Sequence, residues 1–227
     1  MKSSFLIVVS IIAVSIACTA YKSAGSQPVA NNNSVNKNND SATAPGQEQE
    51  KVPCTLTLAG APNIDGLRVG MTTDEVLALF PGSKNDPEVR AELEHPPSRF
   101  GTSSFTLTPG KYESKDKFAG INQAMFRLLD GRVSSVRLSY NGPAYSHVDS
   151  FVTKLAEEAS LPKSDQWEAY VGMDNQLKTL KCAEFEVQAF VGGQGGNLNY
   201  VDIKDLLAEK KLQDRRAKAR AAATPTP

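Results

Sequence analysis

Apolar side chains recur through most of this chain at two spacings, one typical of helices and the other of strands. A first helix is predicted to begin at Thr72-Thr73-Asp74-Glu75, which has the form of a capping box: the threonine hydroxyl and the glutamate satisfy free amides at the helix start. Met71 and Val76 flank this box as a hydrophobic staple. The helix is predicted to end at Phe80, because Pro81-Gly82 follows it.

Two further helices are predicted later in the chain. One begins with Ser146 as its N-cap and stops before Pro162. The other is charged and covers about residues 205–222, with an apolar stripe that ends at Leu212. The apolar positions of the helix after Ser146 have helical spacing: Val148, Phe151, Val152, Leu155 and Ala159.

Alternating apolar and polar residues predict strands at residues 103–108, 124–128, 136–140, 177–181, 185–191 and 198–203. Helix followed by antiparallel hairpin therefore occurs twice, which predicts an α+β fold whose short helices pack on an antiparallel sheet. We predict one unit over residues 53–142 and a second over residues 143–205. Residues 206–227 are predicted to be a charged helix and a frayed tail.

The hairpin around Asp130-Gly131 admits two turns, and the side-chain pattern distinguishes them. A two-residue turn would place Phe126 on the opposite face from Val136. A three-residue loop that includes Leu129 unites the apolar residues on one face and leaves Gly131 in the left-handed conformation that glycine tolerates. We therefore predict the three-residue loop. The united residues are Ala124, Phe126, Leu128, Val136, Leu138 and Tyr140.

The first residues of the chain have the layout of a secretory signal, with Lys2, an apolar run over residues 5–16 and small residues before Cys18. This run is shorter than the roughly 20 residues of a membrane span. Residues 1–17 are therefore predicted to be a signal peptide, with Cys18 as the lipidated start of a bacterial lipoprotein facing the periplasm. Ordinary secretion and an uncleaved membrane-spanning start are the alternatives. Residues 18–52 lack large apolar side chains, which predicts a disordered polar tether.

Three cysteines are present in the chain. If Cys18 carries lipid, Cys54 and Cys182 remain as an even pair in an oxidising compartment, which favours a disulfide. Two buried free thiols are the alternative. The wide spacing of these cysteines, with no His cluster nearby, indicates no metal site.

The formal net charge of zero provides no whole-protein field for nucleic acid, so we predict no nucleic-acid partner. Charge is nevertheless uneven, because six basic residues and a single acid lie between Lys210 and Arg220. This stretch is typical of a solvated helix end, and contact with anionic lipid or an acidic partner is the alternative.

Several residues that suggest chemistry have simpler structural explanations. Ser146, His147 and Asp149 are close neighbours in sequence, whereas the members of a catalytic triad converge from separate elements. His95 is predicted to lie in a surface loop without a partner. We predict no catalytic residue and no cofactor. The remaining polar and aromatic pairs are assigned to a solvated strand face and to the core, respectively: Glu184 with Glu186, and Trp167 with Tyr170, a partner anchor being the alternative for the aromatic pair.

A glycine-rich run lacks the Gly-Lys-Ser/Thr ending of a phosphate loop and opens no helix. It is predicted to be a flexible hairpin tip that contacts a partner. Its residues are Gly192, Gly193, Gln194, Gly195 and Gly196.

The segment Val69-Gly70-Met71-Thr72-Thr73-Asp74-Glu75-Val76 resembles the helix entry of the SmpA/OmlA (BamE-like) outer-membrane lipoproteins. The resemblance covers about residues 63–140 and implies a lipidated cysteine, a flexible leader and short helices packed on an antiparallel sheet. The entry is also similar to that of the tandem-repeat inhibitors of β-lactamase. The matching residues have structural roles: Gly70, Met71, Thr72, Glu75 and Val76.

These features together predict a lipid-anchored, non-enzymatic binding or scaffold module of the bacterial cell envelope, with the membrane reached through Cys18 and an unidentified protein as partner. An inhibitor of an envelope or secreted hydrolase, which uses the sheet faces and the glycine tip, is the first alternative. An uncharacterised enzyme is the second. It would require His95 or His147 to lie within hydrogen-bond reach of a buried carboxylate or nucleophile.

Overall fold

The structure, a computed structural model, describes residues 53–193 and 195–223. The predicted signal peptide, the lipidation site Cys18, the predicted tether, Gln194 and residues 224–227 lie outside the described residues. The helices are α1 (Thr73–Ala78), α2 (Pro87–Glu94), α3 (Val148–Glu158) and α4 (Leu206–Ala223). The strands are β1 (Thr102–Leu107), β2 (Ile121–Leu129), β3 (Arg132–Asn141), β4 (Glu168–Ala169), β5 (Leu177–Lys181), β6 (Phe185–Gly192) and β7 (Leu198–Asp205).

All seven strands belong to one antiparallel sheet in the order β1-β2-β3-β7-β6-β5-β4. Strands from the two halves of the chain meet where β3 pairs with β7. The α+β class is confirmed, and the predicted strands are present with their ends shifted by a few residues. Both predicted units thus contribute strands to the same continuous sheet.

One face of the sheet is covered by the hydrophobic core. Val76 of α1 and Val152 of α3 are fully buried in the same cluster as the sheet residues. A row of inward-pointing side chains crosses six strands in register, and each is at most 1% exposed. This row contains Phe105, Phe126, Val136, Ile203, Val187 and Leu180.

The β2–β3 hairpin turns at Asp130-Gly131 alone, so the predicted three-residue loop is wrong. Leu129 pairs with Arg132, and the two residues between them have positive φ angles of 52° and 75°. This conformation is the type I′ turn that Asp-Gly favours, because its twist matches that of the flanking strands.

Leu129, which was assigned to the loop, belongs to β2, and the extra residue lies instead inside β3. Arg127 is opposite Ser135 and Leu128 is opposite Val133, so Ser134 forms a bulge. The bulge restores the register that the apolar pattern requires, and Phe126 consequently pairs with Val136. The predicted shared face is therefore confirmed, although a bulge in β3 produces it instead of a three-residue loop.

The predicted capping box forms at the start of α1. The Glu75 amide donates to Thr72 Oγ1 at 3.3 Å, and the Thr72 amide donates to Glu75 Oε2 at 2.7 Å. Hydrogen bonds from the Thr72 backbone and hydroxyl hold the pKa of Glu75 below its ordinary value. The staple residues Met71 and Val76 are both buried, and the preceding Gly70 donates its amide to Val133 O at 2.7 Å.

Two helix starts differ from the prediction. The sequence interpretation missed α2, although Asp86 caps it by accepting the Glu88 amide and Pro87 occupies its first position. Ser146 is not the N-cap of α3, because the helix begins at Val148 and His147 occupies the cap position without a side-chain hydrogen bond.

Helix α4 contains no buried residue and is held to the sheet largely by polar contacts. Its Arg215 guanidinium donates to both carboxylate oxygens of Asp130, at 2.8 and 2.7 Å, and to Phe100 O at 2.8 Å. Lys211 adds a third contact to Asp130, at 2.8 Å. The hydrogen bond from Arg215, followed by that from Lys211, holds the pKa of Asp130 well below its usual range.

We expect Asp130→Asn to release the second half of α4 while leaving the sheet folded. Asparagine retains the left-handed turn but cannot accept the guanidinium as a charge partner. Hydrogen exchange at residues 211–223 should become faster at neutral pH. Since the folded pKa of Asp130 lies below its ordinary value of 3.8, the wild-type contact persists above that pH and is lost as the pH falls through the lowered pKa. Asp174→Asn, in an exposed loop, is the control; equal exchange in both variants would contradict the expectation.

Candidate functional site

The face of the sheet opposite the core is here called the open face, and its side chains other than Asp202 and Ser135 keep solvent contact across the central strands. Three register rows define it. The middle row contains Thr106, Met125, Arg137, Asp202, Gln188 and Thr179. The row nearer α4 contains Ser104, Arg127, Ser135, Lys204, Glu186 and Lys181, and the row farther away contains Gln123, Ser139, Tyr200, Phe190 and Leu177.

A buried carboxylate lies at the centre of the open face. Asp202 is only 1% exposed, and its charge is matched by Arg137, whose Nη2 and Nε lie 2.6 and 3.2 Å from Oδ2. Ser135 Oγ donates to the other carboxylate oxygen at 2.9 Å. A buried charge requires such partners. The network consequently fixes the orientation of the Arg137 guanidinium.

Three flat groups are stacked beside this network. The Arg137 guanidinium lies 4.7 Å from the centre of the Tyr200 ring, and the Tyr200 ring is stacked on Phe190 at 4.9 Å. The stack runs across β3, β7 and β6, and each member is only partly buried. Arginine and aromatic residues are the types most enriched in the centres of protein interfaces. This stack is therefore the best candidate for a binding hot spot in the described structure.

The edges of the sheet are less suitable for a partner than its face. On β1, Glu92 Oε2 accepts a hydrogen bond from the outward Thr106 amide at 2.6 Å. Ser98 Oγ accepts the Thr102 amide, and the Ser98 amide donates to Thr102 O. On the opposite edge, β4 has only two residues. These contacts occupy part of the outer backbone of β1, and β4 offers only a short edge to an added strand.

A cleft of about 710 Å³ separates α4 from the open face. Arg127 and Lys204 belong to its sheet side, and Glu209, Leu212 and Arg216 belong to its helix side. The cleft continues directly from the row that contains Ser135, two residues along β3 from Arg137.

Cys54 and Cys182 are joined by a disulfide in the structure. The bond fastens the N-terminal segment of the described region to the β5–β6 turn, where the Ala183 amide also donates to Leu56 O at 3.2 Å. Among residues 53–193 and 195–223, no group of three or more His, Cys, Asp or Glu side chains could hold a metal ion.

The glycine-rich tip is fastened at one end. The Tyr145 amide donates to Gly196 O at 2.9 Å, and a Cβ on Gly196 would lie 2.0 Å from Tyr145 O. Gly196 is thus needed for this close approach. An open cavity of about 580 Å³ adjoins the tip, and Ser146 and Gln176 line its wall. Gln194 lies outside the described residues, and the contact role of the tip stays a prediction.

Neither histidine approaches a buried acid or nucleophile within the part of the chain that the structure describes. His95 Nδ1 lies 2.6 Å from Ala91 O at the end of α2, and exposed His147 precedes α3. Asp149, the third member of the Ser-His-Asp pattern, forms an ion pair with Lys178 instead. The three residues of that pattern thus lie at the start of α3.

The assignments predicted for the aromatic pair, Trp167 with Tyr170, and for the acidic pair, Glu184 with Glu186, are confirmed only in part. Trp167 is 2% exposed and donates Nε1 to Pro162 O at 3.0 Å, so its assignment to the core is confirmed. Tyr170 is 59% exposed, so its assignment to the core is wrong. Glu184 and Glu186 are partly buried and bonded rather than merely solvated: Glu184 accepts the Leu58 amide, and Glu186 pairs with Lys204 at 3.0 Å.

The sequence interpretation missed the residues of the stack on the open face. Their signal was present in the alternation, because Arg137, Tyr200 and Phe190 occupy polar-face positions of strands that are otherwise apolar on the inner face. A polar face with an arginine and two large aromatic residues on neighbouring strands differs from an ordinary solvated face. The order of the strands was needed to bring these residues together.

No protein-family model, curated protein or solved structure matches this chain. The resemblance of the helix entry to the BamE-like lipoproteins therefore stays a prediction. None of the helices in the described ranges has the length and apolar character that a membrane crossing requires.

Proposed function

We propose that this protein is a lipid-anchored binding module of the bacterial cell envelope, which holds a protein partner on the open face of its sheet. The anchoring part of the proposal comes from the signal-like start and Cys18. The binding part is carried by one observation, the stack of Arg137, Tyr200 and Phe190 on a face that keeps solvent contact.

The physical argument for binding concerns preorganisation. Long side chains lose rotational freedom when a partner immobilises them, which opposes association. Here Asp202 and Tyr200 already hold Arg137 in place, so little of that freedom remains to be lost. The planar groups also expose apolar surface that a partner can cover.

The proposal assigns a scaffold role rather than a catalytic one. The polar groups of the open face, Asp202, Arg137 and Ser135, are bonded to one another. This arrangement supports a rigid recognition surface, since it leaves none of the three as a free base or nucleophile.

Site-specific photo-cross-linking tests the proposal. We expect p-benzoylphenylalanine at Gln188, beside the stack, to give a discrete cross-linked product when the full-length chain is produced in its own cells. Tyr200→Ala should reduce that product by about tenfold or more, because a central aromatic group at an interface contributes strongly to binding. The same photo-reactive group at Glu157, exposed on α3, is the matched control.

Products of equal yield at Gln188 and Glu157, or a yield unaffected by Tyr200→Ala, would argue against the open face as the binding site.

A parallel labelling with palmitate tests the lipid anchor. The wild-type chain should incorporate the label and Cys18→Ser should not.

A further inference from the structure

The cleft between α4 and the open face contains acidic and basic side chains, but only the acidic ones are all engaged. Glu186 Oε1 accepts from Lys204 Nζ and from Gln188 Nε2, both at 3.0 Å. Asp205 Oδ1 accepts the Ala208 amide at 2.9 Å, and Glu209 accepts from Gln213 at 2.6 Å. Each carboxylate of the cleft thus accepts a hydrogen bond within the protein, and Glu186 also has a cationic partner.

The two arginines of the cleft have no carboxylate partner among the described residues. Arg127 lies on β2 and Arg216 on α4, so they approach the cleft from its two walls. The Arg216 guanidinium lies over the Phe100 ring, 6.0 Å from its centre. A guanidinium presents a planar fork of donors that matches a carboxylate, so two such groups at one cleft favour an acidic ligand.

The size of the cleft favours an extended peptide segment over a single small anion. Its sheet side includes residues from β1, β2, β3, β7 and β6, whose four spacings of about 4.8 Å add to roughly 19 Å. About six residues of extended chain cover that length. Leu206 and Leu212 also line the cleft, which provides apolar surface between the charged groups.

The cleft and the stack are close enough for one ligand to contact both. Ser135 in the cleft and Arg137 in the stack are two residues apart on β3, or about 7 Å. A segment with acidic residues in the cleft can therefore place an aromatic or other planar side chain on the Arg137 guanidinium, which itself lies against the Tyr200 ring.

We propose that the cleft beneath α4 binds an acidic, extended segment of the protein partner, with Arg127 and Arg216 as the groups that recognise its carboxylates. This inference rests on the proposed function, because it names the chemistry of the partner that the open face holds. It adds that acidic and planar side chains of the partner alternate along one short segment.

Fluorescence anisotropy with a defined probe tests this inference. The probe is a fluorescein-labelled hexapeptide, Glu-Tyr-Glu-Glu-Tyr-Glu, and its counterpart has glutamine at each glutamate. With the full-length chain in nonionic detergent, we expect the glutamate peptide to bind at least about tenfold more tightly than the glutamine peptide. Arg127→Gln and Arg216→Gln should each weaken binding by about tenfold, and added salt should weaken it further.

Arg90→Gln is the matched control, because Arg90 lies on α2 away from the cleft and pairs with the exposed Glu94. It should bind the glutamate peptide as the wild type does. Circular dichroism of each variant verifies that the fold is retained. Equal affinity for the two peptides, or an unchanged affinity in both cleft variants, overturns the inference.

Two outcomes separate the related hypotheses. If the cross-link at Gln188 forms but the glutamate peptide does not bind, the proposed function stands and the acidic segment is rejected. If phosphatidylglycerol vesicles bind and lose affinity with Arg127→Gln and Arg216→Gln while the peptide does not bind, the cleft holds lipid headgroups and the inference is overturned.

Discussion

Phe126→Ala is expected to lower the free energy of unfolding by about 3–5 kcal/mol, measured by urea denaturation of the full-length chain. Phe126 is fully buried at the centre of the inward row and is stacked on Phe105 with ring centres 4.9 Å apart. Removal of its ring leaves a cavity that the surrounding strands cannot close, because neighbours on both sides are fixed by the sheet register.

Phe190→Ala provides a control with the same chemical change on the opposite face of the same sheet. Phe190 is partly buried and contacts Tyr200, so its removal should cost about 1 kcal/mol of stability. It should, however, reduce the cross-link at Gln188. A loss of stability equal to that of Phe126→Ala would show that the open face is a second core, which would contradict its proposed role in binding.

Cys54→Ser combined with Cys182→Ser is expected to lower the free energy of unfolding by about 2–4 kcal/mol. The bond connects residues 128 positions apart, so its loss frees a long loop in the unfolded chain. For a region of this size the change corresponds to a fall in Tm of about 4–16 °C. Differential scanning calorimetry gives the measurement.

Reduction of the wild type supplies the control for this variant. Dithiothreitol should lower the wild-type Tm by a similar amount and leave the double serine variant unchanged. The Leu58 amide donates to Glu184 Oε2 at 2.9 Å. Loss of the disulfide should loosen this contact, so hydrogen exchange near Leu58 should become faster in the variant. An identical Tm for reduced and oxidised wild type would mean that the bond does not form in the protein.

Much of the fold follows from local patterns in the sequence. The capping box at Thr72 and Glu75 is a short-range signal, and short-range hydrogen bonds alone complete it. The alternation in β6 and β7 likewise predicts strands, because one face of each is buried. Such elements depend on residues that are neighbours in sequence.

Other features depend on pairing between distant residues, which no local pattern contains. The bulge at Ser134 arises because a favourable two-residue turn and the apolar register of β2 and β3 have to be satisfied together. The pairing of β3 with β7 brings Arg137 beside Asp202, 65 residues later. Without that pairing, an aspartate in a strand is expected to face solvent, whereas here it is buried.

The candidate site illustrates the same limit. Nothing in the sequence connects Arg127 with Arg216. Only the position of α4 places these two arginines on the two walls of one cleft. That position depends on the contacts of Arg215 and Lys211 with Asp130 at the hairpin turn. Three separate parts of the chain therefore determine whether the cleft exists.

The disulfide also determines how mechanical tension travels through the protein. A pull applied on the N-terminal side of Cys54 crosses the covalent bond to Cys182 and continues through β6 and β7. Residues 55–181 form a side loop that the tension bypasses, so α1–α3 and β1–β5 are not pulled along the chain. The strain is carried instead by β6 and β7, and five of their eight register pairs lie between the end nearest Cys182 and the pair Phe190–Tyr200.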